Sequence, residues 1–317
     1  MIDNLFTGRS PDEWLRGFAP VGNDPHRTYS DGRTMVHFLR TDAARFFQEL
    51  VENVSDANRL PPFDEVFHLA SVVGGRELID GDPLFVATDL AIDSYFFRWA
   101  AHNHERISRV LYASSSAAYP VSLQAAGRDT AIPLSEELIR FDGDLRQPDM
   151  TYGWSKLTGE YLARLAADRY GLRVACVRPF SGYGEDQDPS YPIPAIALRV
   201  AARETPLTIW GTGEQARDFV HVDDCVQAMF TVLDNVADGA GVNIGSGKAT
   251  TFNEIAHIFT ELEGYDPEVK PLINKPTGVM SRFSDPSLIE SMGWRPTITI
   301  EEGLRRVLRF AHEVIEH

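Results

Sequence analysis

Apolar residues fall along the chain in short runs separated by longer amphipathic stretches. Met35–Leu39, Glu65–Ala70, Arg109–Ala113 and Leu172–Val177 read as short buried strands. Between them Asp42–Asn53, Pro83–Asn103 and Tyr152–Tyr170 carry helical spacing, the first with Thr41 or Asp42 as its cap. Strands separated by helices imply crossover units and a parallel sheet covered on both faces. After about Gly182 the segments become shorter and more mixed. A helix is expected near Ile193–Arg203, with strands near Leu207–Ile209 and Asp218–Val222. Helices follow at Asp223–Asn235, Phe252–Leu262 and Ile300–Val314. The pattern predicts an α/β chain with a doubly wound parallel sheet over residues 1–180 and a smaller α/β lobe over residues 181–317, woven onto it. At the start, Met1–Asn4 looks like the end of a strand and Leu5–Pro11 like a loop. No strand, Gly-rich turn and helix precede the strand at Met35–Leu39.

Composition changes this picture little. Of 317 residues, 43% are hydrophobic, enough for a full core. No apolar run approaches the ~20 residues of a membrane helix, and Met1–Ser10 does not read as a secretory signal. The net charge of −16 argues against nucleic acid or an anionic membrane as partner. An anionic substrate would therefore need a local basic pocket. Cys176 and Cys225 are the only cysteines, too few for a disulfide framework, and a reducing cytoplasm is the simplest setting.

The chemistry concentrates at Tyr152-Gly153-Trp154-Ser155-Lys156. On a helix, positions four apart share a face, so the phenol and the ammonium can point into one cleft. A free tyrosine has a pKa near ~10 and is a poor base at neutral pH, but a nearby ammonium favours the phenolate. Such a tyrosine can take a proton from a substrate hydroxyl while hydride leaves the same carbon. Ser114, Ser115 and Ser116 follow the strand Arg109–Ala113, where a parallel sheet presents its ligand crevice. Each feature alone has a bland reading: tyrosine–lysine pairs occur by chance, and serines often cap turns. Trp154 reads as a packing residue, with lining of the substrate pocket as the alternative, and His102 and His104 as solvated residues at a helix end. Gly211-Thr212-Gly213 and Gly245-Ser246-Gly247-Lys248 read as turns, since neither has the context of a phosphate-binding loop.

Taken together, in order, these segments resemble the extended short-chain dehydrogenase/reductases, within the NAD-dependent epimerase/dehydratase family that modifies nucleotide sugars. Asp3-Asn4-Leu5 is similar to the end of the second strand, where the acid holds the adenosine ribose. His68-Leu69-Ala70-Ser71 resembles the segment lining the cofactor. Ser114–Pro120 resembles the catalytic serine segment, and counting back four from Tyr119 selects Ser115. Arg178-Pro179-Phe180 resembles the motif that places Pro179 near the nicotinamide. Arg217–Asp224 and Arg282, with Asp285 and Gly293-Trp294 downstream, resemble the two motifs whose arginines meet a nucleotide diphosphate. The resemblance implies a Rossmann-like fold, NAD as cofactor, a nucleotide-diphosphate sugar as substrate and a homodimer built on helices at about 84–104 and 152–170. It implies Tyr152 as base, Lys156 as its tuner and ribose ligand, and Ser115 as hydroxyl donor. Asp3, Asn4, Leu69, Ala70, Ser71 and Pro179 would line the cofactor, and Ser116, Ser181, Arg217 and Arg282 the substrate.

The chain departs from that family in two ways. The first strand and Gly-rich phosphate turn expected before Asp3 are not in it. The sheet is therefore expected to be truncated, with unpaired strand edges at its centre and a weaker grip on the cofactor phosphates. A late start, a natural short form, or another segment or subunit filling the gap would each account for this, the first two better than the third. The second departure narrows the reaction. Val72-Val73-Gly74-Gly75 and Tyr119-Pro120 are similar to GDP-fucose synthases and GDP-mannose 3,5-epimerases, but Ala117 stands where those enzymes carry an acid/base cysteine. Ser116 and Ala117 also replace the Asp–Glu pair of the 4,6-dehydratases. What remains needs only Tyr152, Ser115, Lys156 and cofactor, and points to epimerisation at C4. A sugar-nucleotide reductase or dehydrogenase, or a non-catalytic relative that binds sugar nucleotide or a partner, are the alternatives.

Overall fold

The computed structural model describes residues 1–23, 25–52 and 60–316. Strand β1 (Ile2–Asp3) and helix α1 (Pro11–Trp14) lead into β2 (Ala19–Asn23), β3 (His26–Ser30) and β4 (Met35–Arg40). Helix α2 (Ala43–Glu52) follows, capped by Asp42, whose Oδ1 accepts from Arg45 N–H at 2.9 Å. The expected end of this helix, Asn53, lies outside the described residues. Then come β5 (Phe63–His68), α3 (Arg76–Gly81), α4 (Pro83–Val86), α5 (Thr88–His102), β6 (Ile107–Ala113), α6 (Met150–Tyr170), β7 (Val174–Pro179) and β8 (Ser181–Tyr183). The rest comprises α7 (Pro192–Ala201), β9 (Leu207–Trp210), β10 (Ala216–Arg217), β11 (Phe219–His221), α8 (Val222–Asn235), β12 (Asp238–Ile244), β13 (Thr250–Thr251), α9 (Phe252–Glu263), β14 (Val269–Leu272), β15 (Ser281–Arg282), α10 (Ser287–Ser291) and α11 (Ile300–Glu316).

The elements make an α/β, Rossmann-like fold. A parallel sheet runs in the order β12-β7-β6-β5. A second sheet, β1-β4-β3-β2, is parallel only between β1 and β4; its other pairings are antiparallel, through two hairpins the sequence reading did not foresee. Ile2 of β1 and Phe63 and Val66 of β5 pack into one core with Phe47, Phe96 and Trp99. No described strand joins β1 to β5.

Two boundaries move for physical reasons. The predicted helix Pro83–Asn103 divides at Ala87 into α4 and α5, and Asp82 caps α4 by accepting from Phe85 N–H. The strand expected at Leu172 starts at Val174 instead. Gly171 ends α6 in the left-handed conformation and Leu172 N–H reaches back to the Ala166 carbonyl, a helix-stop arrangement that uses those residues first.

Helix α6 lies tightly over the sheet at Gly159. A Cβ there would overlap the Tyr112 hydroxyl and crowd Asp93 Oδ2. Gly159→Ala is expected to lower stability by about 1–3 kcal/mol, since added volume in a packed site forces its neighbours off their rotamers. Urea unfolding measures this, and an unchanged midpoint would show that the helix can back away freely.

Candidate active site

The candidate site forms where β5, β6 and β7 end. Ser115 follows β6, and its hydroxyl oxygen accepts from Ala117 N–H at 3.1 Å, which fixes a short turn. The Ala117 carbonyl of that turn accepts from Asp149 N–H at 2.9 Å, just before α6. A Cβ at Gly153 would strike the same carbonyl, so glycine is what lets the first turn of α6 approach the serine segment. Tyr152 is thereby brought onto Ser115, and the two side chains are hydrogen-bonded.

One helical turn on, the Lys156 side chain is buried. Its ammonium donates to the Ala113 carbonyl at 3.0 Å and lies 5.7 Å from the centre of the Tyr152 ring. Burial pushes the Tyr152 phenol above its ordinary value, and the Asp89 carboxylate adds to this. The Ser115 hydrogen bond and the charge of Arg282 pull the other way. As it stands, the phenol is held protonated and needs added positive charge to act as a base.

Ser116, by contrast, is buried and donates to the Phe180 carbonyl at 3.3 Å. The floor beneath the serines is an ion pair. Arg178 and Glu160 meet through two hydrogen bonds, at 2.8 and 2.6 Å, and Glu160 also accepts from Ser114 at 2.5 Å. Despite its burial the Arg178 guanidinium is held firmly charged by Glu160.

Leu69 is exposed and Ala70 and Ser71 half-buried just beyond β5, which ends two residues earlier than the sequence suggested. Ser71 donates to Asp89 at 2.8 Å. Pro179 closes β7, half-buried. Asp3 and Asn4 stand apart from this group at the end of β1. Both are exposed, and each accepts from the backbone N–H two residues on, Asp3 at 2.7 Å and Asn4 at 3.0 Å.

On the second side, β10 and β15 run parallel with Arg217 opposite Arg282. Arg282 donates to Asp149 at 2.6 Å and to Gln124, while Asp149 also takes Arg76 at 3.0 Å. Arg217 donates to main-chain carbonyls, those of Ala216 at 2.8 Å and Thr277 at 3.2 Å among them, and its guanidinium lies 5.8 Å from the centre of the Phe252 ring. Burial and the neighbouring Arg282 push its guanidinium down to about 9. Among the described residues no carboxylate pairs with this cation, and an anion would complete the arrangement. Ser181 is half-buried in β8, its N–H donating to the Asp218 carbonyl at 3.0 Å.

Trp154 is exposed on the outside of α6, so it does not pack into the core. Gly245–Lys248 is a turn, as the sequence indicates, and Asp218 fills it: Ser246 and Gly247 N–H groups bond its carboxylate at 2.8 and 3.0 Å. Sequence reasoning missed Asp89, Asp93, Asp149 and Arg76. For the first pair a signal existed, since two aspartates four apart interrupt an otherwise apolar helix face.

Comparison with known proteins agrees with this geometry. Residues 29–245 match the model of the NAD dependent epimerase/dehydratase family. The chain is 30% identical over 261 residues to GDP-mannose 3,5-epimerase 1 of Oryza sativa subsp. indica, covering 80% of this chain and 66% of that protein. It is 28% identical over 208 residues to the GDP-L-fucose synthase of Sinorhizobium fredii, covering 63% and 64%. The chain thus spans just under two thirds of the length of these relatives. In fold it resembles the UDP-glucose 4-epimerase of Thermotoga maritima, crystallised with UDP-glucose, with a TM-score of 0.76 and 23% identity over 99% of this chain and 90% of that one. With its serine turn, tyrosine and lysine held together at the ends of parallel strands, this chain belongs to the NAD dependent epimerase/dehydratase family.

Proposed function

We propose that the protein is an NAD-dependent nucleotide-sugar epimerase acting at C4. The observation that carries this is the composition of the crevice: one phenol (Tyr152), one hydroxyl (Ser115) and one ammonium (Lys156) meet there, and at Ala117 a buried methyl takes the place of a second proton-transfer group. A single acid/base suffices to open and reclose one carbinol, whereas 3,5-epimerisation needs a further group to move carbon-bound protons.

In this reading the residues fit NAD. Asp3 offers an exposed carboxylate for ribose hydroxyls, and Leu69, Ala70, Ser71 and Pro179 offer a partly apolar wall at the strand ends. NAD, when bound, supplies the acceptor that takes hydride from the sugar carbon and later returns it. Tyr152 removes the proton from the C4 hydroxyl, and Ser115 donates to the same oxygen as charge develops there. Lys156 holds positive charge beside the phenol and can reach a ribose hydroxyl. Arg217 and Arg282 grip the diphosphate, with Ser181 beside them, and Ser116 supports the substrate wall through its bond to Phe180. Residues 1–180 serve as the cofactor domain and 181–317 as the substrate lobe. The exposed Leu84, Leu90, Trp154 and Tyr161, on or beside α5 and α6, suit a homodimer contact. No helix of the described residues is long and apolar enough to cross a membrane.

Incubation of the protein with UDP- and GDP-hexoses, with catalytic NAD, tests the reading. The expected result is the C4 epimer with no net change in nicotinamide absorbance. Stoichiometric turnover of NADH or NADPH would instead make it a reductase or dehydrogenase, and absence of both conversion and cofactor binding a non-catalytic relative.

A further inference from the structure

Two buried side chains hold Arg282, the guanidinium proposed to grip the diphosphate. Gln124 Oε1 accepts from its Nε, and Asp149 Oδ2 accepts from its Nη2 at 2.6 Å. Its third nitrogen, Nη1, has no partner among the described residues and is left to a ligand. Both holders are in turn bonded to the main chain of the serine segment. Gln124 Nε2 donates to the Tyr119 and Pro120 carbonyls at 3.0 and 3.1 Å, and Asp149 N–H donates to the Ala117 carbonyl at 2.9 Å. Asp149 also stands at the entry to α6, where its carbonyl accepts from Gly153 N–H at 2.8 Å. Met150, next in the chain, has φ at +54°, a left-handed backbone that a residue with a Cβ keeps only where its surroundings hold it. On its other side the Asp149 carboxylate takes Arg76 of α3 at 3.0 Å, and Arg76 is also paired with Asp80 at 2.6 Å. Burial works against the Asp149 carboxylate, but the charges of Arg282 and Arg76 hold it below the ordinary aspartate value.

We propose that Asp149 is a positioning residue that keeps the diphosphate site in register with the Tyr152–Ser115 pair. This rests on the nucleotide-sugar reading above. A sugar nucleotide gripped at its diphosphate brings its C4 hydroxyl to Tyr152 only if grip and phenol stand at the right separation. A misplacement of about 1 Å can cost on the order of 10²-fold in rate. Arg282 lies on a strand of two residues, and Asp149 fixes it to the turn that carries Ser115 and to the first turn of the helix that carries Tyr152. The carboxylate does not itself help to hold an anion, because a negative charge beside the guanidiniums opposes one. A residue of this kind has a distinct signature: its loss lowers the rate without lowering nucleotide affinity.

The test compares wild type with Asp149→Asn in two measurements, calorimetric binding of UDP and GDP and the kcat of sugar interconversion. Asparagine keeps the size and the main-chain bonds to Ala117 and Gly153, so the serine turn and the helix entry hold. We expect kcat to fall about tenfold or more while the nucleoside diphosphate binds as tightly as before or more tightly. A nucleotide affinity that falls along with kcat would make Asp149 part of the diphosphate grip and overturn the inference, as would a smaller fall in kcat. Failure of the C4 reading shows in the wild type instead, as absence of interconversion, and takes this inference with it. If Asp149→Asn does not fold, Arg282→Lys takes its place: the charge stays, but the planar fork that joins Asp149, Gln124 and a ligand is lost. There kcat should again fall by more than the affinity for UDP or GDP, and equal losses refute the inference.

Discussion

Tyr152→Phe should reduce the rate of sugar interconversion by roughly 10²–10⁴-fold while leaving the fold and cofactor binding in place. The ring stays, so packing against the first turn of α6 stays. What goes is the group proposed to carry the proton of the C4 hydroxyl. The Ser115 hydroxyl would lose its phenol partner but keep its bond to Ala117 N–H, so the serine turn should hold. Initial rates on the substrate identified by the epimerisation assay, with circular dichroism as the control for folding, read the effect. A variant that retains activity within about tenfold of wild type would place the proton transfer on another group.

The largest stability effect is expected at Glu160→Ala. Glu160 and Arg178 are both buried, and the carboxylate takes two hydrogen bonds from the guanidinium and one from Ser114. Removing one partner strands a charge in the interior, which typically costs about 3–5 kcal/mol. The Arg178 guanidinium would keep only its contact with the Tyr119 hydroxyl, at 3.1 Å. Chemical denaturation measures the loss. Replacing both partners by methionine should recover much of it, because no uncompensated charge is left. If the single variant loses less than about 1 kcal/mol, the pair is solvated more than its burial indicates. Because Glu160 lies one turn beyond Lys156 and binds Ser114, the single variant should also loosen the serine turn.

Much of this was legible beforehand because it depends on local spacing. Tyr152 and Lys156 share a helix face by the 3.6-residue repeat alone, and Ser115 follows a strand whose apolar run is unmistakable. The hairpins β2–β3 and β3–β4 were missed although Asp31-Gly32 marks the turn between β3 and β4, because these strands are largely polar and, among their described side chains, only Tyr29 and Phe38 are fully buried. Strand β12 was missed for the opposite reason. Asp238-Gly239-Ala240-Gly241 carries no strand signal, and the glycines are there because the Gly239 backbone runs against the backbone of α6 and Gly241 against the Arg178 guanidinium.

The sequence by itself determined the α/β alternation and pointed to the proposed catalytic pair, the serine segment and the two arginines at 217 and 282, since each is a short pattern with its own periodicity or motif. Only the tertiary structure decided which charges meet. Asp149 draws in Arg76 from 73 residues away and Arg282 from 133, Asp218 fills the glycine turn at 245–248, and Asp93 meets His68 from 25 residues before it. Electrostatic interactions act through space, at distances that sequence separation does not encode, and a buried charge takes its partner from whatever element packs against it.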